Sequence, residues 1–322
     1  MVLLRSMLYF PANSVRMIVK AATLPTDAAI FDLEDAVSLE DKETGRIIAR
    51  DYVKLIKQRG IQTFVRVNSL TTGLTTEDLE LIIVQGLDGV MLAKTETGSD
   101  VAELSRMLDK VEKQAGVTRK ITKLIPLIES AKGVINTFQI ASSSSGRVIA
   151  VAFGAGDYCR DLGRDISTVS KDEIELLYAR SNIVNMGRAA GVQAIDTPFL
   201  GSLTDQEAFH REVKLGVQLG FKGKQCIHPS QIETVNDMFS QSQEEVARAK
   251  RIVQAFEIAR AKGPGVISFE GKMVDNMTYR QAKETIAQSI EDKMKSTRKA
   301  PYVTVSEIFS HTPSRSGRHR RD

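Results

Sequence analysis

The stretch VIAVAFG, residues 148–154, decides how the chain is read. It has strand length, carries β-branched residues and is apolar without alternation, as expected of a parallel strand buried on both faces. It runs straight into GAGDY, so a polar loop with Asp157 follows the apolar run. Gly154-Ala155-Gly156 opens like the dinucleotide fingerprint G-x-G-x-x-G, but position 159 is Cys159 and the motif fails.

The same pattern recurs outward from this stretch. Apolar runs stand at SMLYF (6–10), AAIFDLE (28–34), TFVRVN (63–68), GVMLAK (89–94), KLIPLIE (123–129), QAIDTP (193–198) and KQCIHP (224–229). With 148–154 that makes eight, separated by segments of helical periodicity. The segment ending at Gly191 puts Ile174, Leu177, Tyr178 and Val184 near one face, with Gly191 as its C-terminal stop. Ser242 and Glu245 have capping-box spacing ahead of Val246, Ala249, Val253 and Phe256. Eight strand-then-helix units predict an α/β fold, a (β/α)₈ TIM barrel over residues 1–262. A doubly wound sheet is the rival, but FPANSVR after the first run is no phosphate fingerprint. Pro126, inside KLIPLIE, removes a ladder donor and predicts a local bulge. The units are used up near residue 260. Residues 263–275 read as an irregular or hairpin segment and 277–295 as a helix, together a C-terminal segment over 263–298. The polar, basic stretch 299–322 reads as a flexible tail.

The bulk numbers fit a large folded core. The chain has 322 residues, 42% hydrophobic and 26% charged. Its formal charge of 44 − 40 = +4 gives no reason to expect nucleic acid as a partner. The two cysteines, Cys159 and Cys226, are far apart and form no C-x-x-C, which suits a reducing cytoplasm. The short apolar start with Arg5 reads as a first strand rather than a signal peptide, and no run reaches membrane-spanning length.

In a barrel, chemistry gathers at the C-terminal ends of the strands. Those ends carry Asp32, Glu34, Asp35, Arg66, Asn68, Lys94, Glu129, Asp157, Asp196 and His228. Carboxylates dominate and histidine is scarce, so oxygen ligation of Mg²⁺ or Mn²⁺ is favoured over zinc. Glu129 and Asp157 end neighbouring strands and could share one ion, or they could serve helix and loop caps. Arg66, inside an apolar run, needs an anion: a substrate carboxylate or the Asp32 cluster. Lys94 could form a Schiff base with a carbonyl, but a structural salt bridge is the preferred reading. Asp32 is read as organising water or Arg66, Asp35 as a cap, and His228 as a hydrogen-bonded strand end.

Taken in order, RSMLYFPAN, FDLEDAV, VRVNS, PLIESAKG, FGAGDY, LYARSNIV, QAIDTPF, GFKGKQCIHPSQI and GKMVDNMTYRQA resemble the citrate lyase β-subunit family, within the HpcH/HpaI aldolase superfamily. The resemblance covers residues 5 to 295. It implies cleavage of a β-hydroxyacyl-CoA (citryl-, malyl- or citramalyl-CoA) to acetyl-CoA and an α-keto acid. It implies Mg²⁺ on Glu129 and Asp157, Arg66 on the keto acid or acyl oxygens, and Asp32 near the water shell of the metal. It implies that Asp275, on a segment covering a neighbouring subunit's site, is the acid–base group in a trimer or hexamer, and that Arg5, Arg16, Lys20 and Lys224 are CoA phosphate contacts. A Schiff-base aldolase, a malyl-CoA thioesterase and a subunit dependent on an acyl-carrier partner, with other citrate lyase subunits around it, are the alternatives. One departure stands out: many relatives read G-x-E-D where this chain has Ala155-Gly156-Asp157, so the choice of acyl group is open.

Overall fold

The structure, a computed structural model, describes residues 2–117, 121–143, 146–260 and 266–296. Eight parallel strands close into a barrel in sequence order. They are β1 (Ser6–Pro11), β2 (Ala28–Asp32), β3 (Gln62–Val67), β4 (Gly89–Leu92), β5 (Lys123–Ile128), β6 (Ala150–Phe153), β7 (Gln193–Asp196) and β8 (Gly223–Cys226). β8 pairs back onto β1 through Ser6↔Lys224, Met7↔Gln225 and Leu8↔Cys226, which closes the cylinder. The helices are α1 (Val15–Ala21), α2 (Lys42–Gln58), α3 (Thr75–Ile82), α4 (Gly98–Ala115), α5 (Ala131–Ile135), α6 (Thr137–Ser142), α7 (Ala155–Asp161), α8 (Ile174–Ala190), α9 (Gln206–Leu219), α10 (Ile232–Phe239), α11 (Gln243–Arg260) and α12 (Asn276–Ser296).

Period-two alternation sorts the strand residues into two cores. Met7, Ala28, Ile30, Phe64, Met91, Ile125, Leu127, Ala150, Ala152 and Ile195 fill the barrel interior. Their neighbours, such as Leu8, Ala29, Phe31, Val65 and Val151, face outward onto the helices. Both faces are therefore apolar, which is why the runs show no alternation in the sequence.

The bulge expected at Pro126 is present, with its extra residue on the neighbouring segment. Leu124 bridges Val148, while Leu127 pairs with Ala152. Three steps along β5 thus match four along the other side. The break falls beside Pro126, which has no N–H to give. On its other side Pro126 keeps regular register with Leu92.

Helix α8 corrects an expectation. Ile174, Leu177 and Tyr178 are exposed, and the buried face is Leu176, Ala179, Arg180, Ile183 and Gly187. The pattern misled because a charged residue sits on the inner face. Arg180 donates to both oxygens of Asp196, at 3.1 and 2.6 Å. Lys224 donates to Asp196 at 3.0 Å, to Glu212 at 2.5 Å and to the Thr197 carbonyl at 2.7 Å. Arg180 also pairs with Glu173. This cluster fastens β7 and β8 to α8 and α9.

Burial, then the adjacent Glu212, pushes the Glu173 carboxyl up to about 8. An unfolded glutamate titrates at its ordinary value of 4.5. Between these values the folded state holds the extra proton, so stability is full below the lower pKa and is lost as pH rises through the upper one. The thermal midpoint is expected to fall from pH 5 to 8, and Glu173→Gln is expected to flatten that slope. An unchanged slope in the variant would contradict this.

Beyond the barrel, β9 (Ile267–Phe269) and β10 (Lys272–Val274) form an antiparallel hairpin. Val274, Phe256 and Ala282 form a small third core that joins α11 to α12. The Ser242–Glu245 capping box at the start of α11 is formed in both directions. The stretch 299–322, read as a tail, lies outside the described residues.

Candidate active site

The barrel's parity places the site. Asp32 continues the inward series Ala28, Ile30. Arg66 follows Phe64, and Glu129 follows Ile125 and Leu127. Each polar side chain is the next inward step above an apolar layer, so the barrel floor is dry and its C-terminal mouth is charged. An open cavity of about 330 Å³ lies there, lined by Asp32, Asp35, Arg66, Glu129 and Asp157, with Tyr9 and Gln225 among its other walls.

Arg66 and Asp32 form a bidentate pair, Nε to Oδ1 at 2.7 Å and Nη2 to Oδ2 at 2.6 Å. The third nitrogen, Nη1, lies 3.0 Å from Glu34 Oε2. Burial works to lower the Arg66 pKa, but the Asp32 hydrogen bond and the charges of Asp32 and Glu34 together raise it, so the guanidinium stays charged. The Tyr9 ring supports the guanidinium from one face, 5.2 Å from centroid to Cζ. Asp32 also accepts the backbone N–H groups of Glu34, at 2.9 Å, and Ala36, at 3.3 Å. Asp32 therefore makes the turn that the sequence suggested for Asp35. Asp35 is instead exposed at the cavity edge.

Lys94 adopts a left-handed backbone conformation, φ 51°. That turn aims its N–H at Glu129 Oε2, 2.8 Å away, and its ammonium pairs with Glu34. The same ammonium is 3.6 Å from Asp157 and 3.9 Å from Asp35. Burial alone would lower the Lys94 pKa, but the Glu34 hydrogen bond and the nearby Asp35 and Asp157 raise it. A Schiff-base lysine needs a depressed pKa, so this environment opposes that role.

Glu129 is buried, and desolvation pushes its carboxyl up to about 8 against the pull of Arg66 and the Lys94 N–H. It does not cap α5; Ser130 does, accepting the Gly133 N–H. Asp157 Oδ1 pairs with Arg160, while Oδ2 is buried without a hydrogen bond. Among the described residues no cluster of three or more His, Cys, Asp or Glu forms a closed metal cage. Two neighbouring carboxylates, one raised by burial and one with an orphaned oxygen, are still the kind of partial donor set that Mg²⁺ completes with water and substrate.

Gly154 holds this arrangement open. A Cβ there would lie 2.6 Å from Glu129 Oε1 and 2.7 Å from its Cγ. Gly154→Ala is expected to displace the Glu129 carboxylate, lowering both divalent-ion affinity and turnover by roughly 10–100-fold. Calorimetry with Mg²⁺ checks the first effect. Affinity equal to wild type would show that Glu129 can move aside without cost.

Other expected residues fall elsewhere. Arg5 precedes β1 at the opposite end of the barrel, buried, with Nε and Nη2 on Asp27 at 2.9 and 3.0 Å and Nη1 on Ser240 at 2.6 Å. Lys224 is fully buried in the Asp196 cluster. Neither can reach a CoA phosphate, because each guanidinium or ammonium is spent on buried carboxylates; both assignments are corrected. Asp196 likewise turns away from the cavity. Arg16 and Lys20 are exposed on α1, which follows a rim loop. His228 accepts the Ser230 N–H and closes a capping box with Gln231. Asp275 caps the start of α12, and the Thr278 N–H and hydroxyl hold its carboxyl below the usual range. Tyr9 and Gln225 were missed: the Tyr9 hydroxyl donates to Gln225 at 2.7 Å, and Gln225 ties to the Phe153 and Asp196 carbonyls. Parity from Met7 would have turned Tyr9 inward.

Fold and rim together define a (β/α)₈ barrel protein whose polar mouth is built from carboxylates around one buried guanidinium. The chain belongs to the HpcH/HpaI aldolase/citrate lyase family, matching it over residues 5–229. It is 37% identical over 282 residues to citrate lyase subunit beta of Leuconostoc mesenteroides subsp. cremoris, covering 88% of this chain and 92% of that one. It is 32% identical over 300 residues to the mitochondrial citramalyl-CoA lyase of Homo sapiens, covering 90% and 87%. Among solved structures, CitE from Mycobacterium tuberculosis in complex with magnesium, acetoacetate and coenzyme A aligns with a TM-score of 0.69 at 28% identity, over 88% of this chain and 97% of that one. The family resemblance read from the motifs holds, and the chain is an enzyme of the lyase class.

Proposed function

We propose that the protein is a Mg²⁺-dependent carbon–carbon lyase that splits a β-hydroxyacyl-CoA into acetyl-CoA and an α-keto acid. The observation that carries this reading is the pairing of Glu129 with Asp157 at the mouth, beside the only cavity-lining guanidinium among the described residues. Glu129 and Asp157 would hold the ion, Mn²⁺ being the alternative. Bound there, it supplies Lewis acidity to the hydroxyl and carboxylate oxygens of the substrate.

The chain's own groups do the rest. Arg66, held by Asp32 and Tyr9, shares Nη1 between Glu34 and the developing oxyanion. The dry floor below it strengthens that contact. As the C–C bond breaks, its electron pair passes to the thioester as an enolate, and the hydroxyl proton passes to water at the open mouth as the keto group forms. The enolate methylene then takes a proton from an acid. Asp275 of a neighbouring subunit is our candidate, and burial against that subunit would have to raise its pKa above its value as a helix cap. Homo-oligomers, trimers or hexamers, follow from this reading, and the exposed apolar face of α8 with Phe138 on the adjoining α6 supports one. Arg16 and Lys20 remain candidates for CoA phosphates.

No helix among the described residues is long and apolar enough to cross a membrane. Both cysteines are free and buried, consistent with a cytoplasmic site of action.

Purified chain with Mg²⁺ and each of citryl-, malyl- and citramalyl-CoA tests the proposal. Acetyl-CoA and a keto acid are the expected products, with EDTA abolishing their formation. Persistence after EDTA, with inactivation by borohydride, would move the chemistry to Lys94. Free malate instead of glyoxylate would make the protein a thioesterase. Activity only with a partner's acyl-carrier protein would make it a dependent subunit.

A further inference from the structure

We infer that the keto acid formed at this site carries a single carboxylate and a small uncharged substituent, rather than a second carboxylate. The inference rests on the lyase reading above and concerns the choice of acyl group that the sequence left open. Its basis is a charge count around the cavity. Among the lining residues Arg66 is the only cation, against Asp32, Asp35, Glu129 and Asp157. Arg66 spends Nε and Nη2 on Asp32 and keeps Nη1 3.0 Å from Glu34 Oε2, so at most that one nitrogen is shared with a single substrate carboxylate. The Lys94 ammonium is not among the lining groups; it is held by Glu34 and serves the carboxylates of Asp157 and Asp35, 3.6 and 3.9 Å away.

The remaining wall is apolar. Leu127, Pro198, Leu200 and Ile227 face the same space. Leu200 Cδ1 lies 3.4 Å from the position that a Cβ at Gly156 would take, so the wall is close-packed there. A methyl group or hydrogen on the keto carbon meets this wall without loss. A second carboxylate would have to shed its water against this apolar wall, with no cation among the wall residues to receive it.

Calorimetry on the purified full-length protein at saturating Mg²⁺ reads the preference without turnover. Pyruvate, with one carboxylate, is expected to bind at least about tenfold tighter than oxaloacetate, with two. Oxaloacetate binding equally or more tightly overturns the inference. Leu200→Arg, which brings a guanidinium to the apolar wall, is expected to narrow the gap by about tenfold. A folded variant with the gap unchanged also overturns it. Parallel assays with citramalyl-CoA and citryl-CoA keep the two readings apart: cleavage of neither sinks the lyase reading and leaves the binding comparison standing, while preferred cleavage of citryl-CoA sinks this inference alone.

Discussion

Asp157→Asn is expected to lower turnover by at least about 1,000-fold, while Asp32→Asn lowers it by only about 10–100-fold. The difference follows from what each carboxylate already touches. Asp157 leaves one buried oxygen without a hydrogen bond, held only at 3.6 Å from the Lys94 ammonium, so that atom is open to another ligand. An ion bound between Asp157 and Glu129 would lose half of its protein charge in the variant. Asp32 is fully occupied, with two bonds from Arg66 and two from backbone N–H groups. Asparagine there keeps an acceptor for the backbone but loosens Arg66, which weakens alignment rather than removing a ligand. Three measurements separate the cases: kcat, Mg²⁺ affinity by calorimetry, and the thermal midpoint. Asp157→Asn should change the first two and leave the third near wild type. Near-total loss of kcat in both variants, with equal loss of Mg²⁺ affinity, would place Asp32 on the ion.

The barrel was legible because its strands are buried on both faces. Burial removes alternation, and eight continuous apolar runs leave few topologies open. The rim was legible for a related reason: Asp32, Arg66 and Glu129 interrupt or end runs that are otherwise apolar. Parity of side-chain direction was less visible at the strand ends, where the backbone leaves the sheet. Asp196 reads as a rim residue, yet it points to α8 and α9, because Arg180 and Lys224 await it there. Neither partner is near it in sequence, and ion pairing at that range leaves no periodic signal. The same limit explains α8, where a buried arginine stands on the face that an apolar count assigns to solvent. Arg5 shows it again, since its partner Asp27 lies on the next strand's approach and Ser240 beyond α10. Basic residues read alike whether they face a phosphate or a buried carboxylate, and only the fold tells them apart.

That distinction gives the second large effect. Lys224→Met is expected to destabilise the fold by about 3–5 kcal/mol, because it strands Glu212 without its lysine and leaves Asp196 with one of its two cations. The Lys224 side chain is fully buried, and so is that of Asp196. Methionine matches the lysine stem in length, so lost packing contributes little and the uncompensated charge dominates. Arg180 still holds Asp196, which keeps the cost within the range for one broken buried pair. For a domain of this size the thermal midpoint should fall by on the order of 10 °C. Pairing Lys224→Met with Glu212→Gln should recover part of the loss, since the second change removes the stranded charge. Lys20→Met is the contrast. It lies on the exposed side of α1, so stability should stay near wild type, while the KM for a CoA thioester rises if Lys20 meets a phosphate. A Lys224→Met protein with a wild-type midpoint and a raised KM would return Lys224 to the CoA channel and refute the structural role argued for it.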